Sequence, residues 1–148
     1  VRLGVDVGTV RVGVARSDPH GILATPVATL TRDESGNSDL DALRDLVLEH
    51  DVVEVVVGLP RTLRGADGAA SASARSYGSQ LAARINPVPV VYVDERLTSV
   101  TANRMLAERG IREKERRSIV DQAAAVAILQ VRLDALSAHQ DRVERGRG

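Results

Sequence analysis

Four acidic positions carry the chemistry this sequence could perform: Asp6, the adjacent pair Asp94 and Glu95, and Asp121. Asp6 interrupts LGVDVGTVRVGVARSD, where Val1, Leu3, Val5 and Val7 alternate with Arg2, Gly4, Asp6 and Gly8 in the period-two pattern of a strand. A lone strand carboxylate ordinarily faces solvent or bonds a turn amide. Gly4 and Gly8 on the same face weigh against that, because they leave open space around the carboxylate for a large ligand. Asp94 and Glu95 close the apolar run VVYV, at the strand end where open α/β sheets bind ligands. Successive strand residues point to opposite faces, so only one of the two can face the same way as Asp6. The plainer alternative is an acid paired with Arg96. Asp121 completes an S-x-x-D capping pattern with Ser118, yet the small residues that follow would let the helix start lie against a sheet and turn the acid into a site. Three acids on a strand, a strand end and a helix start suit a hard cation, Mg2+ or Mn2+. Two such ions about 4 Å apart can activate an attacking water and stabilise the leaving oxygen in phosphodiester hydrolysis. No other nucleophile is evident. The sequence has no cysteine, and His20, His50 and His139 have neither metal-ligand nor triad spacing.

Positioning these acids requires a sheet. A turn at Gly8-Thr9 and the alternation of Val10, Val12 and Val14 predict a hairpin ending at Ser17-Asp18-Pro19. A third strand is expected over Val27 to Leu30, followed by the loop TRDESGNSD. Ser38 and Asp41 form a capping box for a helix to about His50. DVVEVVVGLP is the near-continuous apolar run of a central parallel strand. RTLRGADGAASASA leads into a helix with Ala74, Tyr77 and Leu81 on one side, and VPVVYVDE is another strand. Thr98 can cap a helix carrying Val100, Met105 and Leu106 and ended by Gly110, after which IREKERR reads as mobile. The last helix is expected from about Ser118 to Leu136, with Ile119, Ala123, Val126, Leu129, Leu133 and Leu136 as its core stripe. This gives one domain over residues 1–137 and a flexible tail over 138–148. Hairpin first and βαβ units after it make a mixed sheet flanked by helices.

The formal net charge is zero, but its distribution is uneven. Asp33 to Glu54 holds eight acids against Arg44 alone, whereas Arg104 to Arg117 holds six bases against three acids. Such an asymmetry can orient a protein on a polyanion, although a charge run is more often a solvated face. Two tyrosines with no Phe or Trp argue against an aromatic platform for stacking bases. No apolar run reaches membrane length and no signal-peptide pattern appears, and the lack of cysteine suits a cytoplasmic location. The chain begins at Val1 rather than Met, which leaves room for residues before it.

DVGTVRVGVARSD, VGLPRTLRGADG, DERLTSVTA and VDQAAAVAIL, in this order and at these separations, resemble the YqgF family, also called RuvX, of Holliday-junction-resolvase-like or pre-16S rRNA nucleases. The resemblance spans about Val1 to Leu136. It implies a ribonuclease H-like fold, a five-stranded mixed sheet with helices on both sides, and a nuclease site that uses Mg2+ or Mn2+. The family's acids fall on Asp6, Glu95 and Asp121, which leaves Asp94 facing elsewhere. Its other motif positions fall on Gly8, Thr9, Arg11 and Gly13, on Gly58, Leu59 and Pro60, and on Arg96, Leu97 and Thr98. Val10 and Arg61-Thr62 depart from the family pattern, beside the expected substrate path.

The resemblance implies an endonuclease that matures the 5′ end of the small-subunit ribosomal RNA precursor, with structured RNA or pre-ribosomal particles as partners. Arg11, Arg61, Arg64, Arg96, Arg116 and Arg117 are candidate clamps on the phosphate backbone, or else ordinary surface charge. A second reading exchanges the substrate for a four-way DNA junction, which calls for a two-fold homodimer where the first allows a monomer. A third, an ATP-binding domain of the actin and sugar-kinase type, rests on the D-x-G-T hairpin. The fourth is a ribosome-assembly module without catalysis. Clustered acids disfavour it, since they would repel RNA unless cations bridge them.

Overall fold

The computed structural model describes residues 1–60, 68–98 and 113–146, with side chains described from Asp121 onward in the last segment. Its elements are β1 (Arg2–Val7), β2 (Arg11–Ser17), β3 (Ala24–Thr31), α1 (Ser38–Glu49), β4 (Glu54–Leu59), α2 (Ala69–Ile85), β5 (Val90–Asp94), a short 3-10 turn (Glu95–Leu97) and α3 (Glu113–Gly146). The strands form a single sheet in the order β3-β2-β1-β4-β5. The β1-β2 and β2-β3 pairs are antiparallel, while β4 runs parallel to both β1 and β5. The mixed five-stranded sheet with helices on both faces is the expected ribonuclease H-like architecture.

The pleat sorts the two faces. Leu3 and Val5 of β1, Val12 and Val14 of β2, and Val55 and Val57 of β4 point to one side and pack against Leu40, Leu43 and Val47 of α1 and Ala74, Tyr77 and Leu81 of α2. The alternate residues meet α3, where Ala15 and Val56 pack with Ala125, Ile128, Leu129 and Leu133. That second face is built for close approach. A methyl group at Gly4 would sit 2.6 Å from the carbonyl oxygen of Ala125 and 2.7 Å from the Cβ of Leu129. The space at Gly4 is therefore filled by α3 and is not open to a ligand, contrary to expectation.

Several boundaries differ from the sequence reading, each for a local reason. β3 begins at Ala24, before Pro26, because it is an edge strand and can tolerate a residue with no amide donor. A Ser38-Asp41 capping box does not form. Asn37 is the residue preceding α1, with left-handed backbone, and Asp33 instead accepts from the amide and hydroxyl of Ser38. The last helix starts by Glu113 and continues to Gly146, so the EKERR segment is helical, as is the chain beyond Ser137. Arg, Lys, Glu, Gln and Ala are strong helix formers, and here intrinsic propensity extends a helix past the apolar stripe that docks it. Asp121 consequently lies inside α3 and is no cap. The helix expected between Thr98 and Gly110 lies outside the described residues. Among the described residues, no helix is long and apolar enough to cross a membrane.

Candidate active site

Asp6 stands near the C-terminal end of β1, directly across from Gly13 on β2, on the face covered by α3. A Cβ at Gly13 would collide with the backbone carbonyl of Asp121, so glycine is what lets α3 bring that residue down onto β2. On the other side of β1, a Cβ at Gly58 of β4 would lie 2.7 Å from Oε1 of Glu95 and would strike Ile128 of α3. These two glycines flank Asp6 and make room for the helix and for the Glu95 side chain. Gly8 serves differently: its amide donates to the carbonyl of Arg11 at 2.9 Å and closes the hairpin turn.

The neighbouring acid is turned away. Asp94 accepts from the amide of Arg96 at 3.0 Å and from its guanidinium, with Nη2 to Oδ2 at 2.6 Å, and so caps the 3-10 turn. Thr98 is buried and donates its hydroxyl to the Glu95 carbonyl at 2.9 Å, closing the same turn from its far end. Glu95 is thereby the member of the pair that reaches Asp6. Burial, a hydrogen bond with Glu95 and the nearby charges of Glu95 and Asp121 together push the Asp6 carboxyl up to about 8. Asp121 accepts from Nε of Arg11 at 2.7 Å, and its side chain is largely buried. Glu95 and Asp121 thus both crowd Asp6, and Arg11 pairs with Asp121.

The donor set is all oxygen and anionic, and the crowding of its charges is what a hard divalent cation would relieve, so Asp6, Glu95 and Asp121 fit Mg2+ or Mn2+. Among the described residues, no three His, Cys, Asp or Glu side chains stand close enough together to hold a metal ion, these three acids included. Asp121 is engaged by Arg11 instead.

Of the other expected site residues, Thr9 is exposed at the hairpin tip, and Arg96 lies at the surface in its pair with Asp94. Arg61 and Arg64 lie outside the described residues. Arg116 and Arg117 are on the helical backbone of α3, with their side chains outside the described set. Sequence reasoning did not single out Arg32, whose Nη1 donates to the Gly8 carbonyl at 3.2 Å while its guanidinium lies 5.2 Å from the centre of the Tyr77 ring. Its position just beyond the hairpin's partner strand was the available signal. Ser71 was likewise missed; it donates to the carbonyl of Pro60 and ties the start of α2 to the end of β4.

A five-stranded sheet in this order, with a helix laid across one face, defines the ribonuclease H-like class of fold. Thermus thermophilus RuvC in complex with a Holliday junction substrate superposes with a TM-score of 0.55 over 93% of this chain and 95% of that one, at 16% identity. The fowlpox virus resolvase in complex with Holliday junction DNA gives 0.54, covering 91% and 97%, at 11% identity. The RuvX family model, described as Holliday junction resolvase, matches residues 1–135. A Frankia casuarinae protein named "Putative pre-16S rRNA nuclease" is 61% identical over 135 residues, 91% of this chain and 67% of that protein. A protein of the same name from Mycobacteroides abscessus is 57% identical over 129 residues, 87% and 78% of the two chains. The chain belongs to the RuvX family of nucleases.

Proposed function

We propose that the chain is a metal-dependent endonuclease that cleaves phosphodiester bonds in structured RNA, acting at the 5′ end of the pre-16S ribosomal RNA, in the cytoplasm and on pre-ribosomal particles. The observation that carries the chemistry is the crowding of Glu95 and Asp121 on the buried Asp6, with Arg11 paired to Asp121. The names of the relatives carry the substrate. Asp6, Glu95 and Asp121 would hold the divalent cations. Bound there, such ions supply Lewis-acid activation of water and neutralise charge developing on the phosphate. The chain itself contributes rigidity: β1 fixes Asp6, the turn closed by Asp94 and Thr98 fixes Glu95, and α3 fixes Asp121. The exposed Arg96 and the arginines at 61, 64, 116 and 117 are candidates to hold the phosphate backbone on either side.

The description of the family model favours a second substrate, a four-way DNA junction, on the same chemistry. One assay separates the readings. Wild type and Asp6→Asn are offered a 5′-extended ribosomal RNA precursor and a four-way DNA junction, with Mg2+ or Mn2+. Cutting of the RNA by wild type alone is expected. Cutting of the junction alone transfers the function to DNA. Binding of RNA without cutting leaves an assembly module, and cutting by both proteins removes Asp6 from the mechanism.

A further inference from the structure

Arg11 belongs to the expected phosphate clamps, yet in the folded chain it is committed to an acid of the site itself. Its Nε lies 2.7 Å from Oδ2 of Asp121, and the pair is partly shielded, with side chains 35% and 19% exposed. Nε is the only nitrogen of the guanidinium in a hydrogen bond among the described residues, and it engages a single carboxylate oxygen. The contact is thus half of the bidentate fork that holds arginine and carboxylate most firmly. The backbone of Asp121 is fixed independently, packed over Gly13, so its side chain can change partners without the helix moving. Among the described residues, the charged side chains that act on Asp6 are the acids Glu95 and Asp121, so Asp121 cannot turn toward Asp6 and Glu95 without a positive charge arriving with it.

We propose that Arg11 is an exchangeable counter-ion: it neutralises Asp121 while the site holds no cation, and yields Asp121 when a divalent cation enters beside Asp6 and Glu95. The proposal rests on the metal-dependent reading above. Arg11 is on this view a positioning residue that keeps Asp121 ordered in the unloaded protein and raises the cation concentration at which the site fills. Removing it weakens order in the unloaded site and strengthens cation binding, two effects of opposite sign on the same carboxylate.

The test is Mn2+ binding by calorimetry, without nucleic acid, to wild type, Arg11→Gln, Asp121→Asn and the double variant. Competition for Asp121 predicts that Arg11→Gln binds Mn2+ at least about tenfold more tightly than wild type, and that this gain disappears when Asp121 is already Asn. An equal gain in both backgrounds would reduce Arg11 to a distant repulsive charge and overturn the exchange, as would unchanged or weaker binding by Arg11→Gln. Should Arg11→Gln fail to fold, the Nε–H resonance of Arg11 in wild type decides during a Mg2+ titration. It shifts in step with loading if the pair exchanges, and stays fixed through saturation if it does not. Wild type that binds no cation at all overturns the metal-dependent reading itself, a result distinct from binding that ignores Arg11.

Discussion

Two clusters of charge sit at opposite ends of the sheet, and α3 contributes to both. At the N-terminal end of β1, Glu54 faces Arg2 across the parallel β1-β4 pair and receives both Nε and Nη2 of Arg132 from α3 at 2.9 Å. Arg2 adds a contact at 3.2 Å. One acid thus has two arginines, and the Arg132 hydrogen bonds, with the charges of Arg132 and Arg2, hold its carboxyl below the usual range despite burial. At the other end, Arg11 pairs with Asp121 alone, and Asp6, crowded by Glu95 and Asp121, moves the opposite way. Among the described residues, the same helix and sheet therefore build one saturated cluster and one starved of positive charge. A saturated cluster ties elements of the fold together; on the metal-dependent reading proposed above, a starved one is poised for a cation.

The largest expected effect lies at the starved end. Asp6→Asn should lower cleavage by at least about a thousandfold, since a metal site contributes several kcal/mol of transition-state stabilisation, while circular dichroism shows the fold intact. Gly13→Ala comes next, because the new methyl group must push the Asp121 carbonyl away. Overpacking of this kind costs about 1–3 kcal/mol, readable in denaturant melts, and cleavage should fall with it. Glu54→Gln leaves Arg2 and Arg132 facing a neutral amide. It should cost about 1–3 kcal/mol, between the limits for exposed and buried ion pairs, with the cleavage rate per folded molecule unchanged. Loss of activity there would break the division of labour between the clusters. The smallest effect belongs to Arg96→Ala, whose exposed pair with Asp94 contributes little to stability. If Arg96 also holds the phosphate backbone, KM for the nucleic acid rises while stability barely moves.

The contrast was only partly legible in the sequence. Strand alternation exposed Asp6 as an anomaly, and the apolar run of β4 located the middle of the sheet. The choice between Asp94 and Glu95 stayed open on the residues alone, because it depends on a turn whose cap is Asp94 itself. Asp121 was obscured by its own neighbours: Ser118 imitates a helix start, while the helix already runs from Glu113 through charged residues with no apolar stripe to reveal it. Gly13 and Gly58 were visible as motif positions, but the backbone and side-chain approaches they permit are tertiary facts. The saturated cluster went unread although Glu54 is the lone acid in EVVVGL, since its partners come from β1 and α3, far away in sequence.

Thermal melting against pH, with and without a divalent cation, tests the contrast most directly. Burial and the Glu95 contact push the Asp6 carboxyl up to about 8 in the folded protein, against 3.8 in the unfolded chain. The folded state alone therefore carries the cost of ionising this group, and wild type without cation should lose stability as pH rises from about 4 to 8. Glu54 has the opposite sign: its stabilising contribution is lost as pH falls from its ordinary 4.5 through its lower folded value. Asp6→Asn should abolish the decline toward pH 8 and keep the acid-side loss, and Mn2+ at pH 8 should raise the Tm of wild type but not of this variant. Parallel curves for the two proteins, with equal responses to Mn2+, would contradict the assignment of Asp6 to a cation-starved site.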